Sequence, residues 1–77
     1  MGRRLTLQDY EKYMTDLTQA YDVSIEGTVT KNQATMIIYK NFGMDDLTVK
    51  KHLNRLVKLG FLEPDGNSYK VCRVRIE

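Results

Sequence analysis

Apolar residues recur at intervals of three and four along three stretches of the chain, which predicts three amphipathic helices. The first helix is expected over residues 6–22, the second over 30–43 and the third over 45–59. Residues 23–29 suggest a short strand before the second helix. Residues 61–76 alternate in polarity around a run of turn residues, which is typical of a β-hairpin. The pattern therefore predicts an α+β domain, preceded by a basic arm at residues 1–5.

Capping residues support the limits of the second and third helices. Thr30 and Gln33 have the spacing of a capping box, and Asp45 stands at the N-cap position of the third helix. Gly43 and Gly60 follow the last apolar turns of these two helices, where a C-terminal glycine is favoured. These signals predict two helices joined by a short turn. The methionines at apolar positions, Met14, Met36 and Met44, are expected to fill the core.

The first helix carries an apolar stripe that has two interpretations. Its members are Leu7, Tyr10, Met14, Leu17 and Tyr21. Their spacing fits packing against the rest of the domain, and it also fits two heptads of a helix seam. A homodimer through helix 1 is therefore an alternative to simple core packing, with Tyr13 and Ala20 on the far face as its contact residues.

The predicted hairpin has a polar tip and one apolar face. Pro64 cannot donate a hydrogen bond to a neighbouring strand, so it is expected to mark the end of the first strand. Residues 65–68 would form the exposed tip. On the returning strand, alternation predicts that Cys72, Val74 and Ile76 face the core.

Composition and charge narrow the class of protein. The single cysteine cannot form an internal disulfide, which favours a reducing, cytoplasmic setting. No apolar run has the length of a membrane span or of a signal-peptide core, so no membrane partner is expected. Residues 1–29 hold three basic and five acidic side chains, a charge of −2, whereas residues 30–77 hold nine and five, a charge of +4. The basic excess coincides with the third helix and the hairpin, which suits a partner with a phosphate backbone.

Residues that would support catalysis or cofactor binding are scarce. His52 is the only histidine, and no zinc-ligand spacing, catalytic triad or glycine-rich phosphate loop occurs. We therefore expect no enzyme activity, no metal and no cofactor. Because His52 lies beside the apolar stripe of the third helix, a packed, hydrogen-bonded side chain is the favoured interpretation, and a phosphate or base contact is the alternative.

The segment 42–62, FGMDDLTVKKHLNRLVKLGFL, resembles the turn and recognition helix of winged helix-turn-helix DNA-binding domains. In that family a small capping residue precedes T-V-x-x-H-L-x-R-L, and a glycine followed by two hydrophobic residues leads into the wing. The resemblance covers residues 6–76. It implies three helices, a short strand before the second helix and a C-terminal two-stranded wing. The implied function is binding of duplex DNA, most simply by a transcriptional regulator.

The resemblance also implies two sets of DNA-contacting residues. In the helix at 45–59 the groove-facing residues would be Asp46, Leu47, Thr48, Lys51 and Arg55, with Lys50 and Asn54 at the margin of this face. The wing would contribute Asn67, Ser68, Lys70 and Arg73. Asp46 could accept a hydrogen bond from a cytosine amino group or merely favour the helix dipole.

Other functions remain open at the level of the sequence. The basic helix face could be only a solvated surface. Winged-helix domains also serve as protein–protein interaction modules, and a net charge of +2 is low for a dedicated DNA binder. A replication or partition factor would use the same DNA contacts for a different purpose.

Overall fold

The computed structural model describes residues 7–75, which form three helices and a three-stranded sheet. The helices are α1 (Leu7–Ala20), α2 (Lys31–Asn41) and α3 (Asp46–Lys58), and the strands are β1 (Thr28–Thr30), β2 (Leu62–Asp65) and β3 (Ser68–Val71). Strand β3 lies between β1 and β2 and pairs antiparallel with both. The predicted α+β class is confirmed, and the order of elements is compatible with a winged-helix arrangement. The arm predicted at 1–5 lies outside the described residues.

One hydrophobic core joins the helices to one face of the sheet. Its buried members are Tyr10, Tyr13, Met14, Leu17, Val29, Ala34, Ile37, Ile38, Leu53, Leu56, Phe61, Leu62 and Val71. Each helix contributes residues three or four positions apart, so each presents one face inward. Consequently the opposite face of α3 is left in solvent.

Helix α1 differs from its prediction at its C-terminal end and on its outer face. It ends at Ala20, because Asp22 adopts a left-handed backbone conformation with φ 52° and the Val23 amide donates back to the Thr18 carbonyl at 2.9 Å. The stripe residues Tyr10, Met14 and Leu17 are buried, as packing within the domain requires, but Leu7 is 44% exposed. The prediction that Tyr13 lies on the far face of this helix, as a contact residue of a homodimer, is wrong.

Tyr13 is fully buried, and its hydroxyl donates to the Ala34 carbonyl of α2 at 2.8 Å. The buried face of α1 is therefore wider than its stripe of three-four spacing. A partner molecule cannot reach Tyr13 without opening the core.

Strand β1 is shorter than the segment predicted at 23–29 and starts at Thr28. Residues 21–27 form turns instead, in which the Gly27 amide donates to the Ser24 carbonyl at 2.9 Å. A Cβ atom on Gly27 would stand only 2.9 Å from Val23 Cγ1 and 3.0 Å from that carbonyl, so glycine permits this close turn. As a result Val23 packs against the core while Ile25 is exposed.

The caps of α2 and α3 confirm their predictions. The Gln33 amide donates to Thr30 Oγ1 at 3.1 Å and the Thr30 amide donates to Gln33 Oε1 at 2.9 Å, which completes the capping box. Asp45 accepts from the Thr48 amide at 3.2 Å. Gly43 and Gly60 have φ values of +142° and +85°. These local signals set the turn between the two helices.

The hairpin lies within the predicted segment, but the side chains that face inward differ from the prediction. Strand β3 ends at Val71, and its inward-facing residues are Val71 and Tyr69. Of the predicted set Cys72, Val74 and Ile76, Val74 does pack against the core, beyond the end of the strand. Cys72 is exposed and Val74 is half-buried, while Ile76 lies outside the described residues. Pairing at the start of β1 decides which side chains face inward, because the Val71 amide donates to the carbonyl of Gly27, the residue before β1, at 2.8 Å.

Three further residues differ from expectation. Pro64 lies within β2, opposite Tyr69, rather than at its end. Because β2 is an edge strand, a residue without an amide hydrogen is tolerated there. Met36 and Met44, expected in the core, are more than half exposed.

Candidate nucleic-acid interface

The outer face of α3 is exposed, and it is basic from Lys50 onward. Its exposed members are Asp46, Leu47, Lys50, Lys51, Asn54, Arg55 and Lys58. Four basic side chains and one carboxylate give the helix a formal charge of +3. The inner face is defined by the buried His52, Leu53 and Leu56. The two faces are therefore cleanly separated, and most of the residues predicted to contact DNA share the exposed one.

Thr48 is the exception among the predicted residues of α3. It is half-buried, and its hydroxyl lies 3.5 Å from the Asp45 carboxylate that also caps its amide. Thr48 therefore belongs to the N-terminal cap of α3. The spacing of Thr48 from Lys51 and Arg55 predicted that it lies on the outer face. Its contacts with Asp45 place it at the helix cap instead.

An aromatic cluster of Tyr10, Phe42 and His52 holds α3 against α1 and the turn before it. His52 is 4% exposed, and its ring stacks on Phe42 with centroids 4.2 Å apart and planes 16° apart. The Tyr10 hydroxyl and His52 Nδ1 are hydrogen-bonded at 2.9 Å. The prediction of a packed, hydrogen-bonded histidine is thus confirmed.

The electrostatic setting of His52 favours its neutral form. Burial lowers the pKa of the imidazole, and the charges of Lys51 and Arg55 on the same helix lower it further. In a neutral ring Nδ1 can act as the acceptor for the Tyr10 hydroxyl. The basic face of α3 is therefore built over a core that carries no charge of its own.

A groove runs between α3, α2 and strand β3, with a volume of about 490 Å³. The α3 side is formed by Asp46, Lys50 and Asn54, which stand one turn apart on the same edge of the helix. The other side is formed by Lys31, Thr35 and Tyr39 of α2, and the remaining lining residues are Val49, Leu53 and Tyr69. Basic side chains thus stand on both sides of a partly apolar groove.

Sequence reasoning missed the α2 side of this groove. Lys31, Thr35 and Tyr39 lie four residues apart, and this spacing could have identified a second polar stripe on α2. Only the packing of α2 against α3 shows that this stripe faces Lys50.

The tip of the hairpin lies beside the N-terminus of α2. The Lys31 amide donates to the Asn67 carbonyl at 3.2 Å, and Ser68 pairs with Thr30. Gly66 has a φ of +63° in the two-residue turn that joins β2 to β3. The predicted wing residues Asn67 and Ser68 are therefore close to the start of α2.

The formal charge of the hairpin is opposite in sign to that of α3. Residues 62–71 hold two carboxylates, Glu63 and Asp65, and one lysine, Lys70, so their formal charge is −1. Glu63 is directly opposite Lys70 in the β2–β3 ladder, which places a carboxylate beside the basic residue predicted to touch phosphate. Among the described helices and strands, α3 therefore has the largest positive formal charge.

Arg73 lies apart from the hairpin tip. It follows the end of β3, and its guanidinium stands 3.8 Å from where a Cβ atom on Gly60 would be, beyond the C-terminus of α3. There a cation interacts favourably with the helix dipole. The structure thus separates Arg73 from Asn67 and Ser68, with which it was grouped from the sequence.

Other kinds of site find no support within residues 7–75. No group of three histidine, cysteine, aspartate or glutamate side chains in this range is placed to hold a metal ion. None of the three described helices has the length and apolar character needed to cross a membrane.

Comparisons with known proteins give no match to this chain: no family model, no curated protein and no solved structure is similar to it.

Proposed function

We propose that this protein binds duplex DNA, with α3 lying in the major groove and the β2–β3 hairpin serving as a wing beside it. The observation that carries the proposal is the exposed face of α3, which has a formal charge of +3 and stands clear of the core along the whole helix. A helix of this size fits the major groove of B-form DNA. The proposal is also supported by the order of elements, because α2 and a short turn precede α3 as in helix-turn-helix domains.

The contacts divide into two kinds under this proposal. Lys51, Arg55 and Lys58 provide charge for phosphate or guanine contacts, whereas Asp46 and Asn54 have hydrogen-bonding groups suited to base edges. Lys50 and Lys31 stand on opposite sides of the protein groove beside α3. The sugar–phosphate backbone of one DNA strand would contact both lysines there. Affinity would depend mainly on the lysine and arginine residues, and therefore on salt.

The biological role we propose is transcriptional regulation in the cytoplasm. A replication or partition factor would use the same contacts. Binding as a homodimer on two half-sites is part of this proposal. Because Tyr13 is buried, a dimer through α1 would have to use its exposed residues, such as Leu7 and Ala20.

A second candidate function is that of a protein–protein interaction module. Two observations favour it: the hairpin has a formal charge of −1, and Leu47 and Met44 expose apolar surface at the start of α3. A negative hairpin beside a basic helix would suit a partner of mixed charge better than a phosphate backbone.

Fluorescence anisotropy separates the two candidates. A labelled mixed-sequence duplex is titrated with the protein at about 50 mM and about 200 mM salt, a range over which phosphate contacts weaken affinity steeply. DNA binding predicts saturable binding at low salt that falls strongly at high salt. Absence of binding at low salt would reject the proposal in favour of the interaction module.

A further inference from the structure

Leu47 is the most exposed large apolar side chain in the described part of the chain. It is 77% exposed although it occupies the first turn of α3. The burial of α3 explains why: the inward positions are taken by His52, Leu53 and Leu56, and Leu47 projects with the basic residues on the other side. It therefore adds nothing to the core.

The neighbours of Leu47 define which partner its surface would suit. Lys50 and Lys51 follow it by three and four residues, so they flank it on the same helix face. Asp46 precedes it and is also exposed. A stable protein interface needs roughly 800 Å² on each partner, with a contiguous apolar centre. Even with the exposed Met44 just before the helix, two apolar side chains beside three charged residues do not form such a centre.

In the major groove, by contrast, a single apolar contact has a defined counterpart. The C5-methyl group of thymine is the apolar feature among the donors and acceptors of the base edges. Cations on either side of a leucine can meet the phosphates that border the groove while the leucine reaches the bases. This geometry matches Leu47 between its basic neighbours.

We infer that Leu47 reads the C5-methyl group of a thymine, so that the DNA preferred by this protein contains thymine where the first turn of α3 enters the groove. The inference rests on the proposed function. It assigns to Leu47 a role in sequence preference and leaves affinity for DNA in general to the basic residues.

The test compares thymine with deoxyuracil, which differs from it only by the methyl group. A preferred duplex is first selected from a random pool, and each thymine is then replaced singly by deoxyuracil. Burial of one methyl group corresponds to about a four-fold change in affinity. We expect wild-type protein to bind at least one substituted duplex about four-fold more weakly.

Two variants assign this effect to a side chain. Leu47→Ala should bind the thymine and deoxyuracil duplexes equally. Ile25→Ala removes another exposed apolar side chain, 52% exposed and located in the turns before β1, and should keep the four-fold difference. Both positions are exposed, so both variants should fold, which circular dichroism verifies.

The outcomes distinguish this inference from the proposed function. If wild-type protein binds duplex DNA but does not distinguish thymine from deoxyuracil at any position, the inference fails and DNA binding stands. If Leu47→Ala keeps the discrimination, another side chain reads the methyl group, and the assignment to Leu47 is overturned. If no duplex binds at low salt, the proposed function fails and this inference fails with it.

Discussion

The separation of α3 into a buried and an exposed face predicts opposite results for the same substitution at two leucines. Leu56 is completely buried in the core, whereas Leu47 is 77% exposed on the other side of the helix. Replacing either by alanine removes the same atoms and slightly raises helix propensity. Any difference in stability between the two variants therefore measures burial.

The expected magnitudes are far apart. Truncation of a buried leucine to alanine lowers the free energy of unfolding by about 2–5 kcal/mol, through lost burial and the cavity left behind. The whole domain has roughly 4–12 kcal/mol of stability at this length. Each kcal/mol changes the Tm of a small domain by about 4–8 °C, so Leu56→Ala should melt at least about 8 °C lower than wild type. Leu47→Ala should stay within about 0.5 kcal/mol of wild type.

Thermal melts and urea titrations followed by circular dichroism at 222 nm measure both variants on the same signal. Equal midpoints for the two variants would refute the assignment of the faces of α3. A large loss for Leu47→Ala with none for Leu56→Ala would mean that the helix is rotated with respect to the core.

Three further predictions concern the cluster behind α3 and the charges of the hairpin. Because burial and neighbouring cations lower the pKa of His52 in the folded state, the unfolded chain binds its proton more tightly. Stability should therefore fall as pH drops below about 6.5, the usual histidine value, and level off below the lowered folded-state pKa. Urea midpoints at several pH values should show a smaller acid loss in His52→Gln; an equal loss would assign it to other groups. Tyr10→Phe leaves His52 Nδ1 without its hydrogen-bond partner and should lower the free energy of unfolding by about 1–3 kcal/mol, and an unchanged melt would show that the bond contributes nothing. In DNA titrations, Glu63→Gln should strengthen duplex binding and Lys70→Gln should weaken it, because the two side chains are opposite each other in the hairpin; no change in either variant would place the hairpin away from DNA.

The helices around the turn were predictable because their signals are local. The capping box of Thr30 and Gln33, the N-cap Asp45 and the glycines at 43 and 60 each act within a few residues, and all appear as expected. The basic face of α3 follows from the same periodicity.

Features that depend on distant partners were not predictable in the same way. The inward face of β3 is chosen by pairing with β1, which is about forty residues earlier, and a shift of one residue reverses every side chain. Tyr13 is buried because α2 offers it the Ala34 carbonyl, which periodicity along α1 does not reveal. The α2 side of the groove likewise depends on how two helices pack. Local pattern thus predicts elements and their ends, and tertiary contacts decide which surface each side chain joins.

The salt dependence of duplex binding tests the proposed role of α3 most directly. Each phosphate contact contributes about −0.9 to the slope of log K against log salt concentration on B-form DNA. The double variant Lys51→Ala/Arg55→Ala removes two cations from the outer face of α3. As a matched control, Lys12→Ala/Lys40→Ala removes the same net charge from a second pocket, between α1 and the end of α2, where these lysines stand together with Asp9.

If α3 contacts phosphate through both residues, the α3 double variant should bind more weakly and its slope should be shallower by nearly two units, while the control keeps a slope close to that of wild type. Equal slopes for wild type and the α3 variant, or equal losses in the α3 variant and its control, would contradict the proposal that α3 is the DNA-binding helix.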